Sequence, residues 1–156
     1  MGRANSIVDV ADCPRSHWYG PDYLLRALAR EFRDGYAQGL APEVDEAGIV
    51  SPQAPWLNLA WFDPTVPATP SLSLPTLRHF EDMGLVCARS DWSGDESMVV
   101  FKCAPFIWHQ EVQEFTSEPG GGHVHPDANQ FVFFGAGEWL IRDDCYRYKW
   151  TGQHNT

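Results

Sequence analysis

Between Ala41 and Pro75 stand seven of the chain's twelve prolines. Proline fixes φ and lacks a backbone N–H, so this stretch excludes a long helix or a central strand and reads as a connector wrapped over a surface. A connector of that length is uncommon inside a small domain and usually bridges two structural units. The sequence on its two sides fits a helical unit followed by a β unit. Before it, "GPDYLLRALAREFRDG" sets Leu24, Leu28 and Phe32 at helical spacing, with Pro21 near the start and Gly35 near the end. This pattern predicts a helix from about Asp22 to Arg33. Within the connector, "APWLNLAWF" is compatible with one short helix.

Beyond Pro75 the chain changes to "GLVCARS", "SMVVFKCA", "NQFVFFGAG" and "EWLIRD", short β-branched and aromatic runs separated by Gly, Ser and Asp. These predict antiparallel strands, with "WSGDES" turning between the first two and "GAGE" making a tight turn between the last two. The series stops at "HNT", where a further strand is expected. A sheet left open there carries an unpaired edge. With the apolar helix face of Leu24, Leu28 and Phe32, that edge leads us to expect that the chain alone folds poorly or associates, so a homo-oligomer is one expected state.

At 156 residues, 44% of them hydrophobic, the chain buries one ordinary core. Its net charge of -10 argues against a nucleic-acid backbone or an anionic membrane as the main partner. A polyanionic substrate would need a local cationic pocket. No apolar run approaches a membrane span, and "GRANSIVDVADCPRSHW" lacks the core of a signal peptide, so the chain reads as soluble and untargeted. Cys13, Cys87, Cys103 and Cys145 show no CxxC spacing and read as buried thiols. Cys87 and Cys103 lie in strand-like runs, where a disulfide depends on those strands being neighbours in suitable register.

The chemistry concentrates in "GGGHVHPDANQFVFFGAGEWLIRDD". In extended backbone, residues two apart project from one face, so His123 and His125 set their imidazoles about 7 Å apart. A metal ion or an anionic group can meet both. Glycines before them let the chain turn closely over a ligand. The hairpin that follows is expected to return Asp143 and Asp144 towards the histidines, and His154 offers a third imidazole. Two imidazoles and a carboxylate with an open fourth position suit zinc (Zn2+) better than calcium or magnesium. The same residues equally fit a solvated histidine pair in a glycine loop. His17, His79 and His109 each stand alone and read as structural or solvated, and Glu111, Glu114 and Glu118 as a solvated acidic face. A cupin metal site would need a glutamate four or five residues after His125, where Asn129 and Gln130 stand.

The segments "LPTLRHFEDMGLVCARSDW", "VVFKCAPF", "GGGHVHPDANQFVFFGAGEWLIRDDCY" and "KWTGQHNT", with a weaker likeness through "HWYGPDYLLRALA", resemble the heparinase II/III family of polysaccharide lyases. The combination GHxHxDxxxF, GEWL, D-x-x-Y and HNT carries the resemblance, which is strong from about Leu74 to Thr156. It implies an α+β fold: the last helices of an α/α toroid followed by the first strands of an antiparallel β-sandwich, incomplete in this chain. Residues 1–40 would end the toroid, 41–75 form the proline-rich connector, and 76–156 begin the sandwich.

The implied activity is β-elimination on a uronic-acid-containing polysaccharide. A base removes the C5 proton, the glycosidic oxygen leaves, and the product carries an unsaturated uronate. Carried over by position, His123 is the sandwich histidine that assists catalysis in the cleft. His125, Asp143 and His154 match a zinc triad, beside which Asp127, Asn129 and Asn155 are expected to donate or accept orienting hydrogen bonds. The partner implied is an acidic polysaccharide, and a parent lyase would be periplasmic or secreted. Cys145 stands where the family usually has glycine. The tyrosine base and the groups that neutralise the substrate carboxylate are expected in the toroid, upstream of Met1, so the chain alone is expected to be inactive. The alternatives are a zinc-holding, glycan-binding β module without catalysis and, behind it, a cupin-type metal enzyme.

Overall fold

A computed structural model of the chain describes Val8, residues 21–104, Gln113 and residues 129–142. Residues 21–74 belong to one unit, and residues 75–104 and 129–142 to another.

Among the described residues the first unit holds three helices, α1 (Pro21–Phe32), α2 (Gly35–Glu46) and α3 (Pro55–Trp61), followed by a 3-10 turn at Ser71–Ser73. Pro21 suits the first position of α1, where no N–H is required. The helix matches the expected limits closely, and Leu24, Leu28 and Phe32 lie exposed. Its packed side is instead Asp22, Arg26 and Ala29. Ala29 and Asp22 are buried, the latter with 0% exposure. Ser51 N–H donates to Asp22 Oδ1 at 3.1 Å, and Asn58 Nδ2 donates to Oδ2. Arg26 donates to the Asp22 carbonyl, to Asn58 Oδ1 at 2.8 Å and to the carboxylate of Asp45. One and two turns further on, Arg30 donates to the Ala60 carbonyl and Arg33 to Thr65. Arg26 and Arg30 of α1, with Arg33 just past its end, thus fasten the chain that follows α2, so a proline-rich segment that cannot pair as a strand is held by side-chain donors to its carbonyls, the Asn58 amide and the Thr65 hydroxyl.

Helix α2 corrects the sequence reading, because it carries Pro42 and runs to Glu46, into the stretch expected to be connector. Its ends explain why it forms. Asp34 caps it, accepting from Tyr36 N–H at 2.8 Å and Ala37 N–H at 3.1 Å. At the other end Ile49 N–H reaches Val44 O and Gly48 N–H reaches Asp45 O, each at 3.0 Å. This is a Schellman closure, with Gly48 supplying the left-handed residue at φ 74°. Ala37, Ala41 and Val44 are buried, and this packing offsets the missing Pro42 donor.

Among the described residues the second unit is a five-stranded antiparallel sheet in the order β1 (Leu77–Phe80), β2 (Leu85–Arg89), β3 (Met98–Lys102), β4 (Gln130–Gly135) and β5 (Glu138–Ile141). The last four are the expected strands, and β1 is an addition. The expected turn between β2 and β3 is present, with Arg89 opposite Met98. Arg89 there lies between the Trp92 ring, 3.7 Å from its centroid, and the carboxylate of Glu96. Hydrogen bonds from Ser93, side chain and backbone, hold the Asp91 carboxyl in that turn below the usual carboxylate range. Between β4 and β5, Ala136 and Gly137 both take positive φ, 53° and 79°, the conformation that matches the twist of a two-residue hairpin.

Residues directly opposite one another share a face of the sheet. One face carries Arg78, Phe80, Leu85, Cys87, Arg89, Met98, Val100, Lys102, Gln130, Val132, Phe134 and Trp139, and of these Val100, Lys102, Gln130, Val132 and Phe134 are buried. The other carries Leu77 and His79, Val86 and Ala88, Val99 and Phe101, Phe131 and Phe133, and Ile141. Among the described residues both faces are thus largely apolar, the first interrupted by Arg78, Arg89, Lys102 and Gln130 and the second by His79 and, opposite Gly135, by Glu138.

Candidate functional site

Of the residues expected to form the site, Asn129 is described; His123, His125, Asp127, Asp143, His154 and Asn155 lie outside the described residues. Asn129 is the residue through which the histidine-containing segment enters β4. Its φ is 63°, a left-handed conformation that asparagine tolerates better than most side chains. The Cys103 thiol donates to Asn129 Oδ1 at 3.1 Å. This contact continues the β3–β4 register one position beyond Lys102 and Gln130. The asparagine carbonyl therefore serves the corner itself, and the donor end of the same amide is left for another acceptor.

The β4–β5 hairpin fixes where the chain leads after the sheet. Gln130 opens β4 and Ile141 closes β5, and the strands are antiparallel, so both lie towards the open end of the hairpin. Ile141 stands opposite Phe133, three positions or about 10 Å short of Gln130. The register shifts between Phe133 and Phe134, leaving Leu140 as an extra residue on β5. Such a bulge re-aims the residues that follow it. Within the GEWL segment Trp139 packs edge-on against its cross-strand neighbour Phe134, with centroids 5.3 Å apart, and the Arg142 guanidinium lies 5.6 Å from the Trp139 ring centroid. That tryptophan therefore has a packing role in the hairpin.

Sequence reasoning did not single out Lys102 and Gln130. They stand opposite each other at the start of β4, 5% and 9% exposed. Neither amide atom of Gln130 has a hydrogen-bond partner. A buried polar group without a partner costs about 1–3 kcal/mol, so the Gln130 amide is a costly feature of the buried centre of this face. Its one legible signal was a Lys and a Gln at positions where alternation calls for apolar residues.

Cys87 and Cys103 are free thiols. Their strands are indeed neighbours, but Cys87 faces Val100 and Cys103 N–H bonds to Gly84 O, so the two cysteines are three positions out of register. That offset of about 10 Å exceeds the reach of a disulfide. Burial pushes the Cys87 thiol up, which keeps it protonated and unreactive at neutral pH. His79, expected to be solvated or structural, is exposed on β1. Among the described residues no group of three His, Cys, Asp or Glu side chains converges on a metal position, and no helix is long and apolar enough to cross a membrane. No protein-family model matches the chain.

Proposed function

We propose that residues 76–156 are the opening strands of the β-sandwich of a heparinase II/III-type polysaccharide lyase, and that residues 1–40 belong to the end of its helical toroid. The enzyme cleaves uronic-acid-containing polysaccharide by β-elimination. This chain supplies His123 to the cleft, and His125, Asp143 and His154 hold zinc. Asp127, Asn129 and Asn155 orient those groups through hydrogen bonds. The tyrosine base belongs to the toroid, so the chain by itself is inactive.

The observation that carries this reading is the joint occurrence of GHxHxDxxxF and GEWL, the first running into β4 and the second forming β5. Two structural features support it. The sheet has an exposed apolar face of the kind a second sheet covers in a sandwich, and α1 has an exposed stripe of Leu24, Leu28 and Phe32 of the kind neighbouring helices cover in a toroid. The donor set also suits zinc, because neutral imidazole and carboxylate are ligands it accepts readily.

Metal analysis tests the assignment in a homologue that carries the toroid together with this loop. One zinc per chain is expected, and it is lost on His125→Ala. Ligation requires neutral imidazole, so zinc affinity weakens as pH falls through about 6.5. Equal zinc in the wild type and the His125→Ala variant would remove His125 from the site.

A further inference from the structure

We propose that Cys103 is a positioning residue: its thiol holds Asn129, and through Asn129 the histidine-containing segment, a role whose consequence at the site rests on the zinc reading above. Three segments of chain meet at this corner. Continuing the β2–β3 and β3–β4 registers by one position sets Gly84 opposite Cys103 and Cys103 opposite Asn129, a single row across the ends of three strands. Cys103 uses both of its donors along that row. Its N–H reaches Gly84 O at 2.8 Å, and its thiol reaches Asn129 Oδ1 at 3.1 Å.

The Gly84 side of the row fixes Cys103. Gly84 is buried with φ 56°, and a Cβ on it would fall inside contact distance of the Cys103 carbonyl oxygen and 2.6 Å from Ala104 Cβ. Glycine alone lets the β1–β2 turn approach that closely at that backbone angle. The Asn129 side is where the contact acts. Asn129 takes φ 63°, a conformation that costs a non-glycine residue energy and persists where its surroundings hold it. Among the described residues the Cys103 thiol is the side-chain partner that meets it. With Oδ1 engaged, the plane of the Asn129 amide is set, and so is the direction in which Nδ2 donates. A thiol is a weak donor, so the contact adjusts the corner and does not carry the fold.

Amide hydrogen exchange of the 156-residue chain without added metal tests the contact itself. Cys103→Ala is expected to speed exchange over residues 123–130 about threefold to tenfold, the range that one lost hydrogen bond gives. Cys103→Ser restores a donor and brings the rate back towards wild type. Asn129→Ala speeds exchange at least as much, and adding Cys103→Ala to it changes nothing further, because both remove one contact. Strand β2 exchanges as in the wild type throughout, which guards against a general loss of the sheet. Unchanged exchange in Cys103→Ala, no rescue by serine, or additive alanine variants would overturn the proposal. A zinc titration of the same proteins reads the consequence: Cys103→Ala weakens binding by a similar factor and Cys103→Ser does not. Unchanged affinity in Cys103→Ala beside a zinc-binding wild type would also overturn it. A wild type that takes up no zinc would remove the zinc reading instead, and exchange would still decide whether Cys103 holds the segment.

Discussion

In a full-length homologue carrying this loop, His123→Ala lowers the formation of unsaturated uronate by at least about a hundredfold, the lower bound for a positioned acid-base group. His123 and His125 stand two residues apart. Side chains two apart share a face in extended backbone, yet the proposal gives them different tasks: His125 holds the metal, and His123 meets the sugar or the reacting proton. Removing His123 then affects the transition state without emptying the zinc site. Zinc content and melting temperature stay near wild type while activity falls. If zinc leaves together with the imidazole, His123 is a ligand; if activity persists, it is a bystander.

A comparably large effect is expected in the helical unit, on stability. Asp22→Ala removes the acceptor for both Ser51 N–H and Asn58 Nδ2 at a position with no solvent exposure. Hydrogen bonds to a charged group contribute about 1.5–3 kcal/mol each, and buried donors left without a partner cost more than the bond alone. A loss of about 3 kcal/mol or more follows, read as a lower urea midpoint for the helical signal. Asp22→Asn retains an acceptor oxygen for one of the two donors and gives roughly half that loss. A change below about 0.5 kcal/mol in Asp22→Ala would show that the network contributes little.

This network marks the limit of what the helical sequence discloses. The apolar stripe of α1 and its ends were legible, because Leu24, Leu28 and Phe32 follow the helical period and Pro21 and Gly35 bracket it. The opposite side was not, because Arg26, Arg30 and Arg33 find their partners at Asp45, Asn58, Ala60 and Thr65, far along the chain. Helix α2 was hidden by composition: Gly35, Gly39 and Pro42 are poor helix formers, and propensity outweighed the two signals that mattered, Asp34 at one end and Gly48 at the other.

The strands divide in the same way. β2 to β5 carry β-branched and aromatic runs bounded by turn residues, and the short turns between β2 and β3 and between β4 and β5 set their pairing. β1 is a four-residue edge strand, exposed throughout, so no alternation announced it. At the site the histidine motif was readable as chemistry, and Asn129 shows how its segment joins the sheet. The pairing of β5 was less readable, since an extra residue at Leu140 shifts the register by one and no local signal marks it.

β-Elimination leaves a double bond in its product, which hydrolysis does not. A homologue that carries a helical toroid together with a region like this one is mixed with uronic-acid-containing polysaccharide, and ultraviolet absorbance is followed for the double bond of an unsaturated uronate. The account predicts absorbance that rises with each cleavage. Chain shortening that yields new reducing ends without that absorbance would be hydrolysis, and would contradict it.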